Sequence, residues 1–305
     1  MGGLLAIGAL LIFPAGIAED DPTERRLPVL RVVLICAAIA LLSCASVLAG
    51  PAVKCALIAA AVGAFVIMLR IDREAMAPLL PSDAFSLRSP TGAGLWMVLL
   101  LSVAYSPLGI YVPLFLQRLH GLEPLPAGYM VAGASLAWTC AALTVASLAE
   151  EWPRRSIVAG PIAMSVGLFG VAALMAPGPV AGLLPPIALI GIGIGASWAF
   201  IAQRVMGGAK DGEETVAAAS LATVQQAGIA LGAAIAGLVA NASGLGDGLH
   251  PDSIRRAAFW VPLAFVAAPL AASALGVRLN LVSGKSGRTS TLSANICIPR
   301  IRCSK

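Results

Sequence analysis

Charge is what this chain has least of. Asp, Glu, Lys and Arg make up only 11% of its 305 residues, against about 25% in a soluble domain. So few charges cannot cover a water-soluble globule, and a mean hydropathy of +0.91 points to lipid as the solvent. Five Trp, three Tyr and two His are too scattered for a base-stacking surface, so no nucleic acid is expected as a partner. The net charge of +5 needs none, because membrane proteins gather Lys and Arg on cytoplasmic loops. No Asp, Glu, Lys, Arg or His lies mid-way along any long apolar run. That removes intramembrane catalysis, a proton relay and a voltage sensor from this chain. Paired carboxylates, H-E-x-x-H and G-x-S-x-G are missing too, so neither an enzyme nor a cofactor is expected. Cys36, Cys44, Cys55 and Cys140 sit in or beside apolar runs, where a thiol behaves as a small hydrophobe. Cys297 and Cys303 have no His or Asp at a metal-ligand spacing, so no metal site is expected.

Long apolar runs are what the chain does have. Nine stretches of about twenty residues can each cross a hydrocarbon core of about 30 Å. They fall at 2–18, 28–49, 51–70, 93–117, 127–149, 156–177, 180–206, 217–242 and 257–277. The expected fold is an all-α polytopic membrane protein whose partner is the lipid bilayer. No Lys or Arg precedes the first run, so it lacks the positive flank of a signal peptide. Gly50-Pro51 leaves almost nothing between the second and third runs, which predicts a tight helical hairpin.

Basic residues set the expected orientation. With the N-terminus outside, 16 of the 20 Lys and Arg fall inside and only Lys54, Arg118, Arg255 and Arg256 fall outside. The bias predicts a cytoplasmic C-terminus.

The seventh run imitates a nucleotide site. Gly191, Gly193 and Ala196 have the spacing G-x-G-x-x-A, and Asp211 follows twenty residues after Gly191. A dinucleotide turn needs a preceding strand, which Pro185-Pro186 would spoil, and a βαβ alternation that is absent. Gly191 and Gly195 are also spaced i, i+4, which lets two helices approach backbone to backbone in lipid. They are therefore expected to pack helices.

A weak repeat links two parts of the chain. "FLQRLHG" before "VAGASLAW" parallels "FIAQRVMG" before "VAAASLAT". Residues 93–177 and 180–277 then read as two three-helix units, and an odd number of spans inverts the second. Inverted repeats of this kind build the central site of many secondary carriers.

Here the residues resemble the major facilitator superfamily. "YSPLGIYVPLFLQRLHGLEPLPAGYM", Tyr105 to Met130, is similar to the start of its C-terminal half in the fourteen-span drug:proton antiporters. "RIDREAMAPLLPSDAFSLR" resembles the branch's central cytoplasmic linker, and "ATVQQAGIALGAAIAG" its penultimate helix. "LAEEWPRRSIVAG" looks like a degenerate gating loop that keeps Arg154-Arg155 but has Pro153 where glycine is usual. The resemblance implies that 1–18 is the last helix of an incomplete N-terminal bundle. Residues 19–70 would hold the extra hairpin, 71–92 a cytoplasmic linker and 93–277 a six-helix transporter bundle of two inverted repeats. Residues 278–305 remain as a basic tail; headgroup binding, disorder and read-through from another frame all fit its composition. The function implied is proton-coupled efflux of a small molecule or drug by the intact carrier, in a bacterial inner membrane. Non-transporting scaffold is the alternative.

A site in this half would use neutral groups. Ser220, Thr223 and Gln226 recur every three residues on one helix face, and Gly228 and Gly232 lie nearly opposite. The polar stripe either lines a cavity or bonds between helices. Ser102, Tyr105 and Ser106 form a second cluster beside Pro107. Pro107, Pro113, Pro185 and Pro186 all fall within expected spans, freeing carbonyls for a kink or a ligand. Trp138 and Trp198 lie near mid-span, either as packing or facing a cavity. Arg154 and Arg155 are either a solvated loop or a gating latch.

Overall fold

The computed structural model describes residues 29–47, 51–73, 75, 80–84, 86–147 and 152–294. The expected span at 2–18 and the thiols Cys297 and Cys303 lie outside the described residues. The described chain is helical and contains no strand. In order, α1 is Val29–Val47, α2 Pro51–Arg73, α3 Pro90–His120, α4 Pro124–Ala146 and α5 Trp152–Leu174. Then come α6 Leu184–Gly207, α7 Glu214–Ala242, α8 Pro251–Ala264 and α9 Ala267–Ala294.

Seven spans among the described residues are long and apolar enough to cross a membrane, α8 and α9 counting as one. The 19 residues of α1 reach about 28 Å and form the other arm of a hairpin with α2. The chain is thus an all-α polytopic membrane protein.

Local chemistry sets the limits of the longest helix. Ser89 caps α3 by accepting from the Gly92 amide at 3.0 Å, and Pro90 takes the first position, where an amide would be orphaned anyway. At its other end Gly121 adopts a left-handed φ of 65°, which residues with a Cβ disfavour.

Two expectations about helix breaks need correction. The ninth run is not one helix but α8 and α9, parted at Phe265-Val266. Pro269 cannot donate to the Phe265 carbonyl and its ring crowds it, so the local bonds shorten to i→i−3, with Ala268 donating to Phe265 at 3.2 Å. Ser165 of α5 donates its hydroxyl to the Val266 carbonyl at 3.2 Å, which satisfies part of the break. Pro185 and Pro186, conversely, sit in the first turn of α6 and free no carbonyl inside it. Beyond residue 278, α9 continues to Ala294 through the first part of the stretch read as a tail; the next proline is Pro299.

Packing is reciprocal. α3 lies against α7 as α6 lies against α4, and α5 against α6 as α9 against α3. The helices α3 and α6 also touch each other at the centre, and α1 joins the bundle through α7.

Charges collect at one end, hereafter the basic end. There Arg31 pairs with the buried Asp72 at 2.6 Å, and Asp72 also accepts from the Leu80 amide at 3.1 Å. Ser82 of the linker accepts from Lys210 at 2.7 Å and donates from its amide to Glu213 at 3.2 Å. Thr91 donates to the Val205 carbonyl at 3.1 Å, and Asn280 to the Arg154 carbonyl at 2.7 Å. The opposite end is joined by His120 against the Met175 carbonyl at 2.9 Å.

Candidate functional site

Three helices bring their aromatic residues together. Tyr105 lies fifteen residues from either end of α3, at its midpoint. Its ring meets Trp138 of α4 edge-on with centroids 5.8 Å apart, and Trp138 meets Trp198 of α6 at 6.3 Å. All three are half-buried. Neither α3, α4 nor α6 carries an ionisable Asp, Glu, Lys, Arg or His through its middle. The cluster therefore offers aromatic faces and one phenol hydroxyl, without a fixed charge. Such a surface holds apolar or aromatic molecules by contact, and cations through the ring faces.

The position of these rings depends on glycine. A Cβ on Gly195 would stand 2.9 Å from the Trp138 Cα, and one on Gly191 would stand 2.9 Å from the Ala134 carbonyl carbon. Both glycines thus let α4 lie directly on α6, with Trp138 at the contact. Gly193 points the other way, where a Cβ would be 2.5 Å from the Gly160 oxygen of α5. Within this stretch Gly191, Gly193 and Gly195 thus make three backbone approaches to two neighbouring helices.

The other sequence candidates do not join this cluster. Ser102 and Ser106 face α7: a Cβ on Gly228 would be 2.7 Å from the Ser102 Cβ, and one on Gly232 would be 2.8 Å from the Ser106 Cβ. Both hydroxyls are buried without a partner. The stripe on α7 is split by environment. Ser220 is fully buried and bonds its own helix at the Ala217 carbonyl, 2.7 Å away. Thr223 lines an apolar groove with Ile35, Phe65 and Met68 of the hairpin, while Gln226 is exposed. Arg154 and Arg155 are exposed in the first turn of α5 at the basic end.

Sequence reasoning missed two features. Gly160 and Gly167, seven residues apart on α5, take the approach of Gly193 and of Pro186 with Ile190; their spacing was the available signal. The Arg31–Asp72 pair had a weaker one, opposite charges at the two hairpin ends that meet on one side.

No protein-family model matches the chain. Two curated proteins of Mycobacterium tuberculosis, from strains CDC 1551 / Oshkosh and ATCC 25618 / H37Rv, are each 32% identical to it over 252 residues. Each is named a probable multidrug-efflux transporter. The likeness is to transporters. It covers 80% of this chain and 52% of each relative, so the chain spans about half the length of the curated relatives it matches.

Proposed function

We propose that this chain supplies one bundle of six spans, α3 to α9 with α8 and α9 as a single span, of a major-facilitator-type carrier that exports lipophilic small molecules. The observation that carries the reading is the 32% identity over 252 residues to proteins named as multidrug-efflux transporters. The seven apolar spans and the reciprocal packing of α3–α5 with α6–α9, as two inverted repeats would give, support it. In this reading Tyr105, Trp138 and Trp198 contact the substrate near the midplane, and transport proceeds by rocking of two bundles about that site. The basic end faces the cytoplasm of a bacterium, as the excess of Arg and Lys there supports. Proton movement, if it drives the carrier, uses carboxylates elsewhere, because the described spans carry none at depth. A second reading, a membrane scaffold that does not transport, draws on the match to only 52% of each relative; one bundle forms one wall of a pathway.

Proteoliposomes containing the purified chain distinguish the two. Uptake of a lipophilic fluorescent cation that collapses when the proton gradient is dissipated supports the carrier. A chain that binds the dye without gradient-driven flux is the bundle alone. Neither flux nor saturable binding leaves the scaffold.

A further inference from the structure

Away from the aromatic cluster, a concave site lies at the end opposite the basic one. The last turn of α7 and the exposed face of α8 form a groove lined by Val239, Ala242, Ser243, Arg256, Trp260 and Ala264. Helix length bounds its depth. The span Pro251–Asn280, α8 and α9 across their break, has 30 residues and rises at most about 45 Å, whereas the hydrocarbon core is about 30 Å thick. Up to about 7 Å at each end then stands in the headgroup layer. Arg256 comes five residues after Pro251, at the boundary of that layer. Trp260 lies one turn deeper, and a helical side chain leans back towards the N-terminus, here towards that boundary, where interfacial aromatics gather.

The arginine is held in place. Its Nε donates to the Ser243 carbonyl at 3.2 Å, which directs the guanidinium and leaves further N–H groups available. Gly244, at φ 95°, makes room for it: a Cβ there would stand 3.1 Å from Nη2. Asp252 sits within one turn of both Arg255 and Arg256, yet among the described residues neither arginine takes part in an ion pair. Arg255, Arg256, Phe259 and Trp260 all lie on the exposed face of α8, with Trp260 edge-on to Phe259 at 5.3 Å. Positive charge, an aromatic belt residue and an apolar floor thus follow one another down the groove.

We propose that this groove binds a phospholipid with an anionic headgroup from the leaflet at that end. The phosphate meets the Arg256 guanidinium, and Arg255 adds to the local field. Trp260 covers the glycerol and ester region, and an acyl chain runs along Val239, Ala242 and Ala264. The apolar floor favours a lipid over a free anion, which could use the arginine alone. The inference rests on the membrane-spanning reading and is independent of transport.

The test is thermal unfolding of the delipidated chain in detergent, titrated with phosphatidylglycerol, phosphatidylcholine or inorganic phosphate. Phosphatidylglycerol should raise the midpoint saturably; phosphatidylcholine and phosphate should not. Arg256→Gln should raise the half-saturating phosphatidylglycerol concentration about fivefold, the loss of one interfacial cation. Trp260→Ala and Arg255→Gln change exposed side chains, so they decide the matter if Arg256→Gln fails to fold; each should weaken the effect. Arg118→Gln, at the same end but outside the groove, should leave it unchanged. An equal response to phosphatidylcholine, a free-phosphate response of similar size, or an Arg118→Gln loss matching that of the groove variants would overturn the proposal.

Discussion

Two of the glycine seams in this bundle are built differently. Along α4–α6, Gly191 and Gly195 lie against the backbone of Ala134 and Trp138, and no buried polar side chain is left without a partner there. Along α3–α7, Gly228 and Gly232 lie against Ser102 and Ser106, whose hydroxyls are buried and unpartnered. An unmade buried hydrogen bond costs about 1–3 kcal/mol. The first seam is closed and carries the aromatic cluster; the second bears an unmet polar cost. Equal glycine spacing in sequence therefore marks close approach without saying how well the approach is satisfied.

The largest effect should come from filling the closed seam. Gly191→Leu or Gly195→Leu forces a side chain against backbone that cannot yield, at a cost of about 3 kcal/mol or more. Thermal unfolding in detergent should show the loss, and an unchanged midpoint would mean that the seam is not closed. Gly228→Ala and Gly232→Ala should cost less, about 1–2 kcal/mol, because alanine adds one carbon where leucine adds four, although that carbon still meets the Leu99 and Val103 carbonyl oxygens and the serine Cβ atoms. Ser102→Ala or Ser106→Ala should reverse the sign, being neutral or stabilising by up to about 1 kcal/mol. A clear destabilisation of either would show that the hydroxyls have partners in the membrane. Smallest is Gln226→Leu, an exposed change expected to stay within about 0.5 kcal/mol. Cysteines at Thr223 and Gln226 should react with small aqueous thiol reagents more readily than cysteines at Gly228 and Gly232, if the stripe faces a water-filled cavity. The reverse pattern would assign the stripe to helix contacts.

Much of this was legible in the sequence, because burial in lipid imposes a single period and length. The runs at 93–117 and 217–242 became α3 and α7 with a few residues added at their ends. Ser89-Pro90 starts α3 and Gly121 ends it, both by residue types that favour those positions. The break between α8 and α9 was obscured because 265–266 is apolar like its surroundings, and only Pro269 hints at it. The site was harder to read, since periodicity names a face but not the neighbour across from it. Ser102, Tyr105 and Ser106 are close in sequence, yet the helix turns Tyr105 towards α4 and the two serines towards α7. The union of Tyr105 with Trp138 and Trp198 depends on how three helices cross, which no local pattern encodes.

The central claim is that these three rings contact the transported molecule. Its most direct measurement is saturable binding of a lipophilic fluorescent cation to the purified chain, compared with Trp138→Ala and Tyr105→Ala. Cation–aromatic contacts of this kind are worth about 1–2 kcal/mol when desolvated, so each variant should bind about five- to thirtyfold more weakly while its unfolding midpoint shows that it remains folded. Binding unchanged in both folded variants would contradict the account and place the substrate elsewhere.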